Sequence, residues 1–256
     1  MIRFSFMAIR FGQAWFDEPL NPPMPDIVIL RQSKSHPASG PVSLKKSMVN
    51  DLTAPEEEIF AKFGKTCRYK IKRAESKDLA ICPYHPAPSA AEVDSFLDFY
   101  TIFARQKGLK PINRKRFSAV AEAGRLRLSS AELAGAIAVR HAYITSGPYV
   151  RMLYSASLFR DSVPDARAAI GRANRLLHWR DMLAFKAEGC RFFDWGGISE
   201  DESTPVLKGI NDFKREFGGD EASYFEGYAA HTLLGRAILG ALSAASLAKT
   251  LLKRRR

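Results

Sequence analysis

Apolar positions recur at helical spacing in two long stretches of this chain and at strand-like density in the stretch between them. Val93, Phe96, Leu97, Tyr100, Phe103 and Ala104 mark one face of a helix. Ser89-Ala-Ala-Glu92 opens it as a capping box, in which the two side chains satisfy each other's backbone N–H groups. A second helical pattern runs from about Ala166 to Glu188 and stops at Gly189, a residue suited to the left-handed conformation that ends helices. Between them lie a shorter helix near Arg114 to Ala123 and three β-like runs, Arg125 to Leu128, Leu133 to Ile144 and Tyr149 to Ser157. Thr145-Ser-Gly-Pro148 divides the last two, so the runs read as an antiparallel meander.

The flanks are patterned less regularly. Residues 1 to about 48 combine an aromatic-rich opening, prolines at 19, 22, 23 and 25, and one strand-like apolar run, Ile27 to Leu30. They predict a short β appendage and linker. From Asp51, Thr53 and Glu56 form a second candidate capping box, with Ile59, Phe60 and Phe63 as the stripe behind it. After Gly189, Arg191 to Trp195 predicts a strand. Ser203 or Thr204 caps a helix with Pro205 in its first turn, Val206, Ile210, Phe213 and Phe217 predict its buried face, and Gly218 stops it. Ser223 to Tyr228 is a last short strand. This order of helices and strands predicts an α+β fold with a mixed, largely antiparallel sheet flanked by helices. It divides as residues 1–48, a main domain at 49–230 and a basic amphipathic C-terminal helix at 231–256.

Composition narrows the partners. With 256 residues, 46% hydrophobic and 26% charged, the chain can bury a sizeable core. A formal charge of +12 favours anions: nucleic acid, coenzyme or nucleotide phosphates, or an acidic leaflet. Three cysteines without framework spacing fit a reducing compartment, which predicts a cytoplasmic protein. The opening residues, interrupted by Arg3, Arg10 and Gln13, do not read as a leader. Near the other end, Arg236 and Lys249 bracket Ala237 to Ala248, about 18 Å of helix against a hydrocarbon core of about 30 Å. That helix predicts docking on the protein's own core, or lying in an anionic leaflet at the inner face of the membrane, rather than spanning it.

The segment with most chemistry is Asn174 to Gly219. Its Asp194-Trp-Gly-Gly197 places two glycines where a strand ends, allowing unusual φ values and close approach of a ligand; a plain tight turn capped by Asp194 is the simpler reading. Downstream, Lys214 lies between Phe213 and Phe217, at the edge of the expected buried face. A cation there neutralises phosphate or stabilises charge developing in acyl transfer, whereas a solvated lysine beside Arg215 and Glu216 does neither. Lys208 is a second candidate.

This run, with Phe213-Lys214 and Phe217-Gly218-Gly219, resembles the closing half of the acyltransferase domain in the FemAB-like branch of the GNAT superfamily. Arg68, Tyr69, Ile71, Arg73 and Ala74 match the Arg-Tyr-x-Ile-Arg-x-Ala segment that precedes the domain in that family. The similarity spans about Asp51 to Tyr228. It implies a GNAT-like fold and transfer of an acyl or aminoacyl group to an amine or hydroxyl of an envelope-related acceptor. Aminoacyl-tRNA or acyl-CoA would serve as co-substrate, with no permanently bound cofactor. It further implies that Lys214 handles the reactive end of the donor and that Gly196 and Gly197 flank the substrate groove. The departures are specific. Complete FemAB proteins carry two tandem domains, and the coenzyme-A pattern Arg/Gln-x-x-Gly-x-Gly/Ala is not met, since Arg167-Ala-Ala-Ile-Gly171-Arg-Ala173 has one residue too many.

Other residues suit the same chemistry from their type and place. His178 and Asp194 are candidate proton-handling groups, with Tyr154 a third. Arg68 and Arg73, with Asn174 and Arg175 nearer the start of the long helix than His178, are candidate contacts for the phosphates of a small molecule or a transfer RNA. A solvated basic helix face and a packed histidine are the alternatives. Cys82-Pro-Tyr-His85 offers two metal ligands where structural zinc needs four, so no metal site is expected. A protein that keeps the fold without chemistry, binding anions at a membrane surface or on RNA, is the reading from a different class.

Overall fold

The computed structural model describes residues 1–36, 39–158 and 163–242. The chain divides into two compact units, one of residues 47–221 and one of residues 1–46 with 222–256.

The larger unit is built on the meander. Strands β6 (Leu126–Leu133), β7 (Ala136–Ser146) and β8 (Tyr149–Ser157) are antiparallel, and β9 (Phe192–Ile198) joins β8 in parallel. The short β5 (Tyr84–His85) lies outside β6, and β4 (Ser39–Asp51), whose last residues belong to this unit, lies beside β9. Helix α5 (Pro164–Ala187) makes the β8-to-β9 crossover. It buries Ile170, Ala173, Leu177, Asp181 and Phe185, a stripe at three- and four-residue spacing. Gly189, at φ +85°, follows its end. A core of Phe63, Cys67, Ile71, Leu176, Met182, Phe185, Phe193, Trp195 and Phe217 fills the space between sheet and helices. Burial pushes the Cys67 and Cys82 thiols up to about 12 and that of Cys190 to about 11, so none is a thiolate near neutral pH.

Helices α3 (Ala90–Lys107) and α4 (Arg114–Glu122) pack through Phe96, Tyr100 and Phe117. The Ser89–Glu92 capping box forms with both of its bonds. The box expected at Thr53 does not. Asp51 Oδ1 accepts the Thr53 N–H at 2.8 Å, and Pro55 takes the N-cap position of α1 (Glu56–Ala61). Gly64 then separates α1 from α2 (Lys65–Ser76). Helix α6 (Pro205–Arg215) starts at Thr204 as its cap, with Pro205 in the first turn, but a different face is buried. Val206 is 71% exposed and Ile210 is exposed as well, whereas Asn211 and Lys214 point inward. Asn211 explains the rotation: its Nδ2 reaches Ser199 O and Glu202 Oε1 at 2.8 Å each.

The smaller unit holds more regular structure than the sequence predicts. Strands β1 (Ile2–Phe6) and β2 (Ile9–Trp15) form a hairpin; β2 runs parallel to β3 (Ile27–Ser33), and β3 pairs antiparallel with β10 (Asp220–Ala230). Ile2, Ala14, Trp15, Ile27, Val28, Tyr224 and Leu239 are its buried apolar residues. A helix begins at residue 233 and is described to residue 242. Leu247, Lys249, Leu251, Leu252 and the final basic cluster of the expected C-terminal helix lie outside the described residues. Among the described residues no helix is long and apolar enough to cross a membrane.

Candidate functional site

The ladder between β8 and β9 runs from Tyr149–Phe192 to Arg151–Asp194. At that point the chain bends. The expected turn beyond a strand is instead an irregularity inside one: β9 continues to Ile198, with Gly196 at φ +78°. Asp194, fully buried, fastens the bend. Its Oδ1 accepts from Gly196 N at 2.7 Å and lies 2.7 Å from Ser47 Oγ and 3.3 Å from Arg151 Nη1. Ser47 Oγ also lies 2.8 Å from Gly196 O, so its single hydrogen is shared between these acceptors. Behind the bend, Trp195 Nε1 donates to Asn50 Oδ1 at 2.6 Å, and Asn50 Nδ2 donates to Phe217 O at 2.7 Å.

Lys214 comes to the same bend from α6. Its Nζ donates to Gly197 O at 2.6 Å and to Gly196 O at 3.4 Å, with the side chain 7% exposed. Burial, with the Arg151 guanidinium nearby, pulls its pKa from 10.5 to about 8; the Asp194 carboxylate acts in the opposite direction. An ammonium has three hydrogens, and among the described residues only these two carbonyls accept from it. Gly197 is exposed, so the bend opens to solvent beside this amine. Asp194, Gly196, Gly197 and Lys214 thus come together from the positions singled out in the sequence. Ser47, Asn50 and Arg151 complete the arrangement and escaped that reading. Arg151, a cation inside the β-like run Tyr149 to Ser157, was the one signal available.

The remaining candidates lie elsewhere. His178 is 1% exposed and belongs to a buried network, packed against Trp195 with ring centroids 4.6 Å apart. In that network His141 Nδ1 is 2.8 Å from Asp181 Oδ2, Tyr143 Oη donates to the same oxygen at 2.6 Å, and His141 Nε2 is 2.8 Å from Asn174 Oδ1. The rings of His141 and His178 stack at 4.0 Å. Burial holds His178 well below the usual histidine range, so it is neutral. Ligand atoms of His141, His178 and Asp181 lie within 4.8 Å of one another, as a metal site requires. The 2.8 Å between His141 and Asp181 is, however, a hydrogen bond, shorter than the roughly 3.4 Å that two ligands about 2.1 Å from a tetrahedral zinc keep.

Asn174 and Arg175 sit in the middle of α5, away from the anion-favouring dipole end. Arg175 forms a bidentate pair with Glu216, at 2.8 and 3.1 Å, and lies over the Phe213 ring. Arg68 Nη1 donates to Ala61 O and Phe63 O, closing the end of α1. Arg73, with Tyr69, lines two grooves. One, of about 280 Å³, also involves Lys70, Arg172 and Arg175; the other, of about 440 Å³, involves Lys72, Ser76 and Lys77. Lys208 pairs with Asp212 on the outer surface of α6, and Tyr154 packs edge-on against Tyr100 and Phe117.

No protein-family model matches the chain, and no curated protein matches it in sequence. Solved structures do match in fold. FemX aligns with a TM-score of 0.57 at 12% identity, over 71% of this chain and 61% of FemX. The C-terminal domain of a putative lysylphosphatidylglycerol synthetase from Agrobacterium fabrum aligns at 0.53 and 11% identity, over 86% of this chain and 72% of that one. L-PGS from Bacillus licheniformis aligns at 0.50 and 12% identity, over 83% and 71%. The chain spans about three-fifths of FemX, and identities this low bear on fold alone. The mixed, mostly antiparallel sheet, the α5 crossover between parallel β8 and β9, and these neighbours together show that the chain has a FemAB-like α+β fold, the fold of FemX.

Proposed function

We propose that the chain transfers an acyl or aminoacyl group from an activated donor, an aminoacyl-tRNA or an acyl-CoA, to an amine or hydroxyl of an envelope-related acceptor, working in the cytoplasm. The observation that carries this reading is the Lys214 amine, buried at the Gly196–Gly197 bend with a hydrogen left over from its two backbone acceptors. The acceptor nitrogen or oxygen attacks the ester or thioester carbonyl, and the negative charge gathers on the carbonyl oxygen. A preplaced ammonium, itself largely buried, stabilises that charge more than bulk solvent does. The intermediate collapses with loss of the ribose oxygen or the thiolate sulfur, and the proton shed by the acceptor ends on that leaving atom. With its pKa near 8, the Lys214 ammonium also suits giving a proton to the leaving atom and then taking up the one shed by the acceptor. The likeness in fold to FemX and to the C-terminal domain of a putative lysylphosphatidylglycerol synthetase supports aminoacyl transfer.

In this reading the phosphates of the donor lie along α2 and α5, where Arg73, Lys70 and Lys72 face the two grooves. The same cations favour the second reading, a non-catalytic protein that binds phosphate backbones. Purified protein given charged tRNA or acyl-CoA, with envelope precursors as acceptors, separates the two. Transfer that falls about a hundredfold or more in Lys214→Met, while the fold persists, is the expected result. Full activity in that variant would defeat the catalytic assignment. RNA binding that weakens steeply with salt, without transfer to any acceptor, selects the second reading.

A further inference from the structure

The end of the smaller unit at which β2 and β3 begin gathers exposed apolar side chains among cations. The β1–β2 hairpin closes with the pair Phe6–Ile9, so Met7 and Ala8 form its tip. Arg10 and Asp26 stand level with each other where the two parallel strands start: Arg10 N donates to Asp26 Oδ2 and Asp26 N to Arg10 O, each at 2.9 Å. The helix from residue 233 starts at the same place. Thr232 Oγ1 donates to Asp26 Oδ1 at 2.9 Å, His231 N donates to Asp26 O at 3.0 Å, and Gly235 packs so closely that an added Cβ would lie 2.1 Å from Asp26 O. The tip is three residues beyond Arg10, about 10 Å at strand rise. Phe6, Met7, Leu233 and Leu234 therefore share one end of the sheet.

All four are exposed, Met7 at 85% and Leu233 at 82%. Lone exposed apolar residues are ordinary, but four large ones at one end need a partner surface. The charges nearby indicate which. Residues 3–11, 22–28 and 228–236 contain Arg3, Arg10 and Arg236 and a single acid, Asp26. Arg10 holds that acid through both carboxylate oxygens, which keeps Asp26 well below the usual carboxylate range and therefore charged and paired. Arg3 and Arg236, both exposed, are left as the net charge of this end. Large apolar side chains with two exposed arginines on the same end match the boundary of an anionic bilayer, where the apolar groups enter the acyl region and the cations remain among the headgroups.

We infer that the β1–β2 tip and the start of the helix at residue 233 form a docking surface for an anionic phospholipid bilayer, with Phe6, Met7, Leu233 and Leu234 inserted and Arg3 and Arg236 at headgroup level. This surface is independent of the acyl-transfer reading. The full chain is tested by co-sedimentation with phosphatidylcholine vesicles that contain phosphatidylglycerol and with vesicles that lack it. Binding to the anionic vesicles that weakens with salt is expected. Met7→Asp combined with Leu233→Asp weakens it about tenfold or more, because each change exchanges a buried apolar group for a charge the leaflet repels. Both side chains project into solvent, and aspartate tolerates the φ of +52° at position 7, so the variant's circular dichroism and thermal midpoint stay those of the parent. In a second measurement, the added indole of Met7→Trp shifts to shorter emission wavelength on the anionic vesicles and is quenched by brominated acyl chains. The inference falls if the parent ignores phosphatidylglycerol, if the double variant binds as the parent does, or if the indole is not quenched. It falls equally if these substitutions abolish self-association of the chain and leave vesicle binding unchanged.

Discussion

Replacing Lys214 with methionine tests whether an ammonium is held at the Gly196–Gly197 bend at a cost to stability. The fold lowers the pKa of this amine from 10.5 to about 8. Below about pH 8 the group is protonated in both the folded and the unfolded chain, and the full cost of burying the charge is present. Between about pH 8 and 10.5 the folded state has lost the proton while the unfolded state keeps it, so stability rises with pH through that window. The total rise is about 3 kcal/mol, at no more than about 1.4 kcal/mol per pH unit. Methionine has similar length and no charge, so its contribution is flat. It also removes the bonds to Gly196 O and Gly197 O, at roughly 1 to 3 kcal/mol, partly recovered where the exposed Gly197 meets water. At pH 7 the two terms oppose, and the variant is as stable as the parent or up to about 2 kcal/mol more stable. Urea unfolding of both proteins from pH 7 to 9.5, read by circular dichroism, gives the difference between them and cancels every group they share. The variant's advantage should be constant up to about pH 8 and then shrink. A difference that stays level to pH 9.5 would refute the buried, depressed amine and with it the electrostatic role proposed for Lys214.

Two further outcomes follow from the packing around the bend. Asn50→Ala removes the partners of Trp195 Nε1 and Phe217 O, both buried, and should cost about 2 to 4 kcal/mol in urea unfolding; a loss below about 1 kcal/mol would mean that water or a neighbour replaces the amide. Gly189→Ala and Gly218→Ala form a matched pair at positive φ, with open space around the first and Lys62 O 2.3 Å from the added Cβ at the second. The first should cost about 1 to 2 kcal/mol, and the second clearly more, since the backbone at Lys62 has to move.

Periodicity determined much of this protein. The meander, α3 with its Ser89 cap, and α5 ending before Gly189 are legible because each buries one continuous apolar face, and that requirement is written at spacings of two or of three and four. The Asp194-Trp-Gly-Gly and Phe-Lys segments pointed to the fold through their resemblance to the FemAB-like domain, and such a resemblance is read along the chain without knowledge of the partners. What tertiary structure alone decided was which polar groups face inward. The pattern on α6 favoured Val206 and Ile210 as buried, but Ser199 and Glu202 offer partners to Asn211, and the two glycine carbonyls offer partners to Lys214, so the helix presents its polar side to the interior. The Thr53 box fails for a similar reason, because Asp51 takes the N–H of Thr53 and Pro55 occupies the cap. His141, Tyr143 and Asp181 give no signal along the chain. They become a network only when β7 and α5 are packed together, forty residues apart between His141 and Asp181. Ser47 and Asn50 are brought to Asp194 and Trp195 by pairings with |i−j| of 147 and 145, and no window along the chain could see them. An apolar stripe can be read locally because water excludes it whatever lies opposite; a buried polar atom is stable only if its partner is there, and the partner belongs to another part of the chain.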